Sequence, residues 1–316
     1  MPLLRQIVPI VVAGLFVGSG ASAQLLVRQP SDVSDARSIA YVDAAPPRGT
    51  VGVTLWGPHY RLQPTEDQTL GNDTGFSPPA PRRNHQLSVA PSTPGATAIQ
   101  AAGGEIGINI HSASIAANLA GRFDLGTIVL GTDLPAPARP FASGRKAKYS
   151  FVAKIPGSRQ SNRGVSQVVA YYNLRDRMHR SGFWFGMVLF DSRGWSYQRS
   201  EGLEHALWDK GTGQPIVQAT AAHANTLLDR GYSTTAFGWQ PFAHARPYAF
   251  VIGAPQVRAA IAMMKARYPQ LVPRYSDDPA DYEIGHLNLN PEVHAPPGSF
   301  AQIGLSVVDW QLEIVP

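Results

Sequence analysis

Beyond Gly103-Gly104 the apolar residues of this chain recur at every second position. In residues 105–112 they are Ile106, Ile108 and Ile110; in residues 282–289 they include Leu287 and Leu289. A period of two sends successive side chains to opposite faces of a pleated strand, so one face can be buried while the other stays wet. The same rhythm marks residues 124–130, 149–155, 167–175, 183–191, 248–252 and 303–315, with turn signals between nearly all of them. The run Phe183-Trp184-Phe185-Gly186-Met187-Val188-Leu189-Phe190 is apolar on both faces, as the middle strand of a covered sheet should be. One stretch reads as a helix: Pro255 starts it, Val257, Ala260, Ile261 and Met264 share a face, and Pro269 stops it. A second helix is expected over residues 219–230, closed by Gly231. Many strands with one or two short helices predict an all-β protein, an antiparallel β-sandwich.

Composition narrows the classes further. With 44% hydrophobic and 16% charged residues the chain is globular, and 30 Gly with 27 Pro argue for many turns and against a helix bundle. The absence of cysteine excludes disulfide scaffolds, thiolate metal sites and cysteine nucleophiles. Residues 1–23 carry Arg5, an apolar run from Ile7 to Val17, and Ala21-Ser22-Ala23 ahead of Gln24, the three parts of a secretory signal peptide. The apolar run is too short to span a bilayer as a helix. The expected product is secreted or periplasmic, without stable membrane insertion. Residues 24–102, broken by Pro46-Pro47, Pro78-Pro79-Ala80-Pro81 and Pro91-Ser92-Thr93-Pro94, read as an irregular N-terminal segment with one clear strand at 50–56, and residues 103–316 as the β-sandwich domain. The net charge of +5 is mild, and the nearest basic cluster, Arg145-Lys146-Ala147-Lys148, leads straight into a strand, so no nucleic-acid partner is expected.

The two C-terminal strands, Tyr282-Glu283-Ile284-Gly285-His286-Leu287-Asn288-Leu289-Asn290-Pro291-Glu292 and Ser306-Val307-Val308-Asp309-Trp310-Gln311-Leu312-Glu313-Ile314-Val315, give residues 103–316 a strand count and rhythm that resemble the concanavalin A-like lectin and glucanase superfamily. The resemblance implies a jelly roll and a glycan partner. The superfamily's Glu-x-Asp-x-x-Glu strand motif is absent, so it carries over no catalytic residue.

Three polar stripes are the candidate site. His286, Asn288, Asn290 and Glu292 share one strand face; Glu105, Asn109 and His111 share another; Tyr171, Asn173 and Arg175 a third. A merely solvated face is usually Lys, Glu, Thr and Ser, whereas amides, imidazoles and carboxylates can bond sugar hydroxyls in pairs. Laid on one concave sheet, the stripes would form a groove for a polysaccharide, with Trp195, Trp208 and Trp239 as stacking platforms on its rim. Hydrolysis of a glycosidic bond needs two carboxyl groups across the cleft. Glu292 with Glu105 is the preferred pair, and Asp191 the alternative partner. Elimination on an acidic glycan would use His286 or Tyr282 as base and Arg175 or Asn288 to neutralise the uronate. The same residues could also bind a glycan without cleaving it, in a glycan-binding or envelope-structural protein. No ligand spacing for a metal or motif for a cofactor is present, and none is expected.

Overall fold

The structure, a computed structural model, describes residues 22–28, 52–56, 62–65, 84–87, 98–102, 105–112, 125–161, 163–194, 205–209, 212–220 and 242–316. Sixteen strands run through them: β1 (Gln24–Arg28), β2 (Gly52–Trp56), β3 (Leu62–Thr65), β4 (Asn84–Leu87), β5 (Ala98–Ala102), β6 (Glu105–His111), β7 (Leu125–Ala138), β8 (Lys146–Ile155), β9 (Ser158–Ser161), β10 (Val165–Asp176), β11 (Ser181–Asp191), β12 (His205–Asp209), β13 (Gln214–Thr220), β14 (Phe242–Ile252), β15 (Tyr282–His294) and β16 (Phe300–Val315). They form two packed sheets of a jelly-roll β-sandwich. One runs β14-β8-β16-β6-β5-β4-β3, with β1 and β9 also on β16; the other runs β12-β13-β11-β10-β15-β7-β2. Every described pairing is antiparallel except β11 with β13.

Each alternating segment became a strand. The residues ahead of 103 supply strands to both sheets: β2 pairs with β7, β5 with β6, and β1 with the end of β16. Of the expected second helix, Ala219 and Thr220 belong to β13 and the remainder lies outside the described residues. The first helix is α1 (Ala254–Arg267), with Gln256 Oε1 accepting from the Gly253 N–H at 3.0 Å and Val257, Ala260, Ile261 and Met264 buried. It packs against β12 and β13 and so closes one end of the second sheet.

The core lies between the sheets. Val168, Ala170, Tyr172 and Leu174 of β10 meet Tyr149 and Phe151 of β8 and the β16 row through Trp310. Three large polar aromatics are tolerated there because their polar atoms are bonded: Tyr172 Oη donates toward Phe250 O and Ala147 O, Tyr149 Oη to Asn288 O, and Trp310 Nε1 to Tyr149 Oη. A register shift in β16 at Asp309, whose φ is 54°, turns Trp310 inward. With its inner face spent on this core, the seven-stranded sheet presents its other face to a groove.

Candidate active site

The groove is about 1240 Å³ in volume and is floored by β10 and β15, side by side in antiparallel register. Gln167 stands opposite Glu292, Tyr171 opposite Asn288, and Asn173 opposite His286. Two glycines make room for these side chains. On β11, Gly186 lies beneath the Tyr171 ring, where a Cβ would collide with ring carbons. On β7, Gly131 lies against His286, and a Cβ there would stand 2.8 Å from Leu287 O and 3.0 Å from His286 Nε2.

Glu292 is a buried acid of the groove. Only 7% of it is exposed, and burial raises its pKa from 4.5 to about 7, against the opposing pull of hydrogen bonds from Gln167 and Asn290. The charges of Asp209 and Asp191 raise it further. Gln167 Nε2 donates to Glu292 Oε2 at 2.5 Å. Gln167 is itself oriented from behind, because its Oε1 accepts from Arg193 Nη2 at 3.2 Å while Arg193 is clamped by both oxygens of Asp191. Near neutral pH, Glu292 can therefore exist as a neutral acid that has a proton to give.

Tyr171 feels the charge of two carboxylates, Glu292 more than Asp209. Burial, then Glu292, holds its phenol well above the usual range, so it stays a neutral hydroxyl; Gln218 Nε2 donates to it at 2.7 Å. Asp209, at the end of β12, accepts from Thr212 Oγ1 at 2.5 Å, and the Trp184 indole donates to Thr212 at 3.2 Å. Nearby, the Oδ1 atoms of Asn288 and Asn290 are buried and have no hydrogen-bond partner among the described residues, although both side chains line the groove. Such an atom costs about 1–3 kcal/mol unless something supplies it with a donor.

A second cluster sits further along the groove. His286 Nδ1 is 3.0 Å from Asp133 Oδ1, and its ring meets the Trp184 ring edge to face at 5.9 Å. Arg175 donates through Nε to Asn173 Oδ1 at 3.2 Å, and Asn173 donates on to Gln214 Oε1 at 3.2 Å. Trp208, 41% exposed, stands at the rim with Tyr268, ring centroids 5.9 Å apart.

No family model matches the chain, and no curated protein does. Among solved structures it is similar to a native family 12 xyloglucanase from Bacillus licheniformis, with 10% identity, a TM-score of 0.36 and coverage of 81% of this chain and 100% of that one. It is similar too to the family 11 xylanase from Neocallimastix patriciarum, with 8% identity, a TM-score of 0.31 and coverage of 83% and 99%. A third is the xyloglucanase domain of NopAA from Sinorhizobium fredii in complex with cellobiose, with 9% identity, a TM-score of 0.32 and coverage of 81% and 97%.

Two of the three expected stripes meet. Those of β10 and β15 lie side by side, so Tyr171, Asn173, Arg175, His286, Asn288, Asn290 and Glu292 share the groove. The third does not join them. Glu105, Asn109 and His111 belong to β6, in the other sheet, where Glu105 pairs with Lys154 at 2.7 Å and accepts from Ser306, Asn109 accepts from Gln302 at 3.1 Å, and His111 packs on Phe300. The expected pairing of Glu292 with Glu105 is thereby corrected, since the two carboxyls sit on different sheets. Asp191 is buried in its ion pair with Arg193 and acts on Glu292 only at a remove. Trp195 and Trp239 lie outside the described residues; Trp208 is at the rim. Asp209, Gln167, Gln218, Asp133 and Trp184 also line the groove, outside the three polar stripes. The alternation of Gln214, Ile216 and Gln218 was the available signal for β13.

Proposed function

We propose that this chain is an exported glycoside hydrolase that draws a polysaccharide across the face of β15, β10, β11, β13 and β12. In this reading Glu292 protonates the leaving glycosidic oxygen and Asp209 is the second carboxylate, acting either on the sugar or on the attacking water. The observation that carries it is Glu292 itself: a buried carboxyl raised to about 7, sharing a groove with a second carboxylate that it senses electrostatically. Tyr171, which feels both charges, donates a hydrogen bond to the reacting sugar without ionising. The unpartnered Oδ1 atoms of Asn288 and Asn290 accept hydrogen bonds and cannot give them, so what they receive is a hydroxyl. Trp208 and Trp184 offer apolar faces for stacking. The signal-like segment at residues 1–23 supports export.

A second reading has its own observation. The His286–Asp133 pair, with Arg175 and Asn173 beside it, is a base next to a cation, the equipment for proton abstraction and elimination on a uronate. One experiment separates the two. The purified protein is offered neutral and acidic polysaccharides, and both new reducing ends and the absorbance of unsaturated ends are followed. Hydrolysis gives the first alone and elimination gives both. Reducing ends that persist at full rate in Glu292→Gln would remove Glu292 from catalysis. Binding without either signal would make the groove a lectin site.

A further inference from the structure

The groove is electrically lopsided. Glu292 and Gln167 hold one part of it, while the far end is lined by Arg175, Arg180 and Arg274. Arg175 is eight residues from Gln167 along β10, or about 26 Å at the rise of an extended strand. The carboxylates at this end are already engaged: Asp133, 4.0 Å from Arg175, with His286, and Asp209, paired with Gln214, with Thr212. Arg180 and Arg274 have no ion-pair partner among the described residues, and both are exposed.

The segments that bear these two cations are tied to each other. The buried Asp176 carboxylate accepts the N–H groups of Met178 and His179 with one oxygen and the N–H of Ser276 with the other, at 2.8, 3.1 and 2.7 Å. The turn bearing Arg180 is thus tied to the segment bearing Arg274. Ser181 Oγ adds a bond to Arg274 O at 2.6 Å. Arg180 itself occupies the left-handed region at φ 56°, where a side chain is strained and glycine is at ease. Like charges carried on two tied segments repel, and an anion placed between them relieves that repulsion.

We propose that Arg180, Arg274 and Arg175 form a subsite for an anionic substituent of the glycan, a carboxylate or a sulfate, several sugar units from the bond at Glu292. The inference rests on the glycan-binding reading and sharpens it: the polymer offers hydroxyls to Asn288 and Asn290 in the middle of the groove and a fixed negative charge at its end. A planar guanidinium suits either oxyanion through paired N–H donors.

The test uses affinity electrophoresis of the full chain in gels carrying hydroxyethylcellulose, carboxymethylcellulose or cellulose sulfate, and dextran with its carboxymethyl and sulfate derivatives. At about 20 mM salt the expected preference for a charged polymer over its neutral parent is about tenfold, falling sharply at about 500 mM. The carboxymethyl and sulfate arms tell which oxyanion is preferred. Arg180→Ala with Arg274→Ala should abolish the preference and keep neutral binding. Arg163→Ala with Arg258→Ala, exposed arginines that do not line the groove, removes the same charge and should keep the preference. Arg180→Gly should raise the melting temperature by about 2–4 °C through relief of the left-handed strain, while weakening charged-polymer binding. Equal binding of charged and neutral polymers, or equal losses in the two double variants, overturns the subsite and leaves the glycan reading intact. If no polymer is bound at all, the glycan reading fails and the subsite with it.

Discussion

Gln167 and Glu292 face each other across the β10–β15 ladder, and the Gln167 amide donates to Glu292 Oε2 at 2.5 Å. A donor at this position favours the ionised carboxyl, so it works against burial and keeps the pKa of Glu292 near 7 rather than higher. Asp209 works in the opposite sense, since its negative charge disfavours a second one. Gln167→Ala should therefore raise the Glu292 pKa, and Asp209→Asn should lower it. A carbon-13 NMR titration of the Glu292 side chain reads both without requiring turnover, and shifts of the same sign in the two variants would refute this account.

The raised pKa also makes Glu292 a pH-dependent liability for the fold. Folding favours its protonated form, so this contribution is fully present below about pH 4.5 and is lost as pH rises through 7. Over the interval from 4.5 to about 7 the loss amounts to about 3 kcal/mol. Glu292→Gln keeps the shape and removes the titration. The variant should match the wild type near pH 4 and exceed it at pH 8 by an amount of that order. Urea unfolding of both proteins at the two pH values measures the difference, and parallel curves would contradict it.

Gly186 leaves the space in which the Tyr171 ring lies. Gly186→Ala drives a methyl into a buried aromatic that cannot swing away without breaking its bond from Gln218. Overpacking of this kind costs about 1–3 kcal/mol. The expected outcome is a lower urea midpoint with an unchanged slope, together with loss of glycan affinity as Tyr171 moves.

The strands were legible because period-two alternation needs only local sequence. Which sheet a polar stripe joins was not, because that depends on partners far away. Asn109 and Asn288 have the same local pattern, yet Asn109 pairs with Gly304 in one sheet and Asn288 with Tyr171 in the other. Bulges also break the parity on which face assignments rest. The shift at Gly285 lets Ile284 enter the core although parity aligns it with His286, and the shift between Val168 and Val169 of β10 against Phe190 and Val188 brings Asp191 opposite Gln167. Asp209 was invisible for a simpler reason. Its strand, β12, is five residues long and sends only Ala206 into the core, too few apolar positions to announce an alternation.

Asn288 offers the sharpest separation of stability from function. It is only 5% exposed, yet its Oδ1 has no partner among the described residues. A residue chosen for the fold alone would be apolar, since Asn288 stands beside Tyr171 and above the backbone of Gly131. Asn288→Leu keeps the branching and heavy-atom count of the side chain and removes a buried unsatisfied acceptor, so it should stabilise the protein by about 1–2 kcal/mol. A bound sugar hydroxyl would lose its acceptor, and affinity should fall by about tenfold, the worth of one such hydrogen bond. Calorimetric melting and glycan titration on the same preparation read the two effects. A variant that melts lower and binds as before would mean that the amide serves the sheet, and that the open acceptor is no part of a binding site.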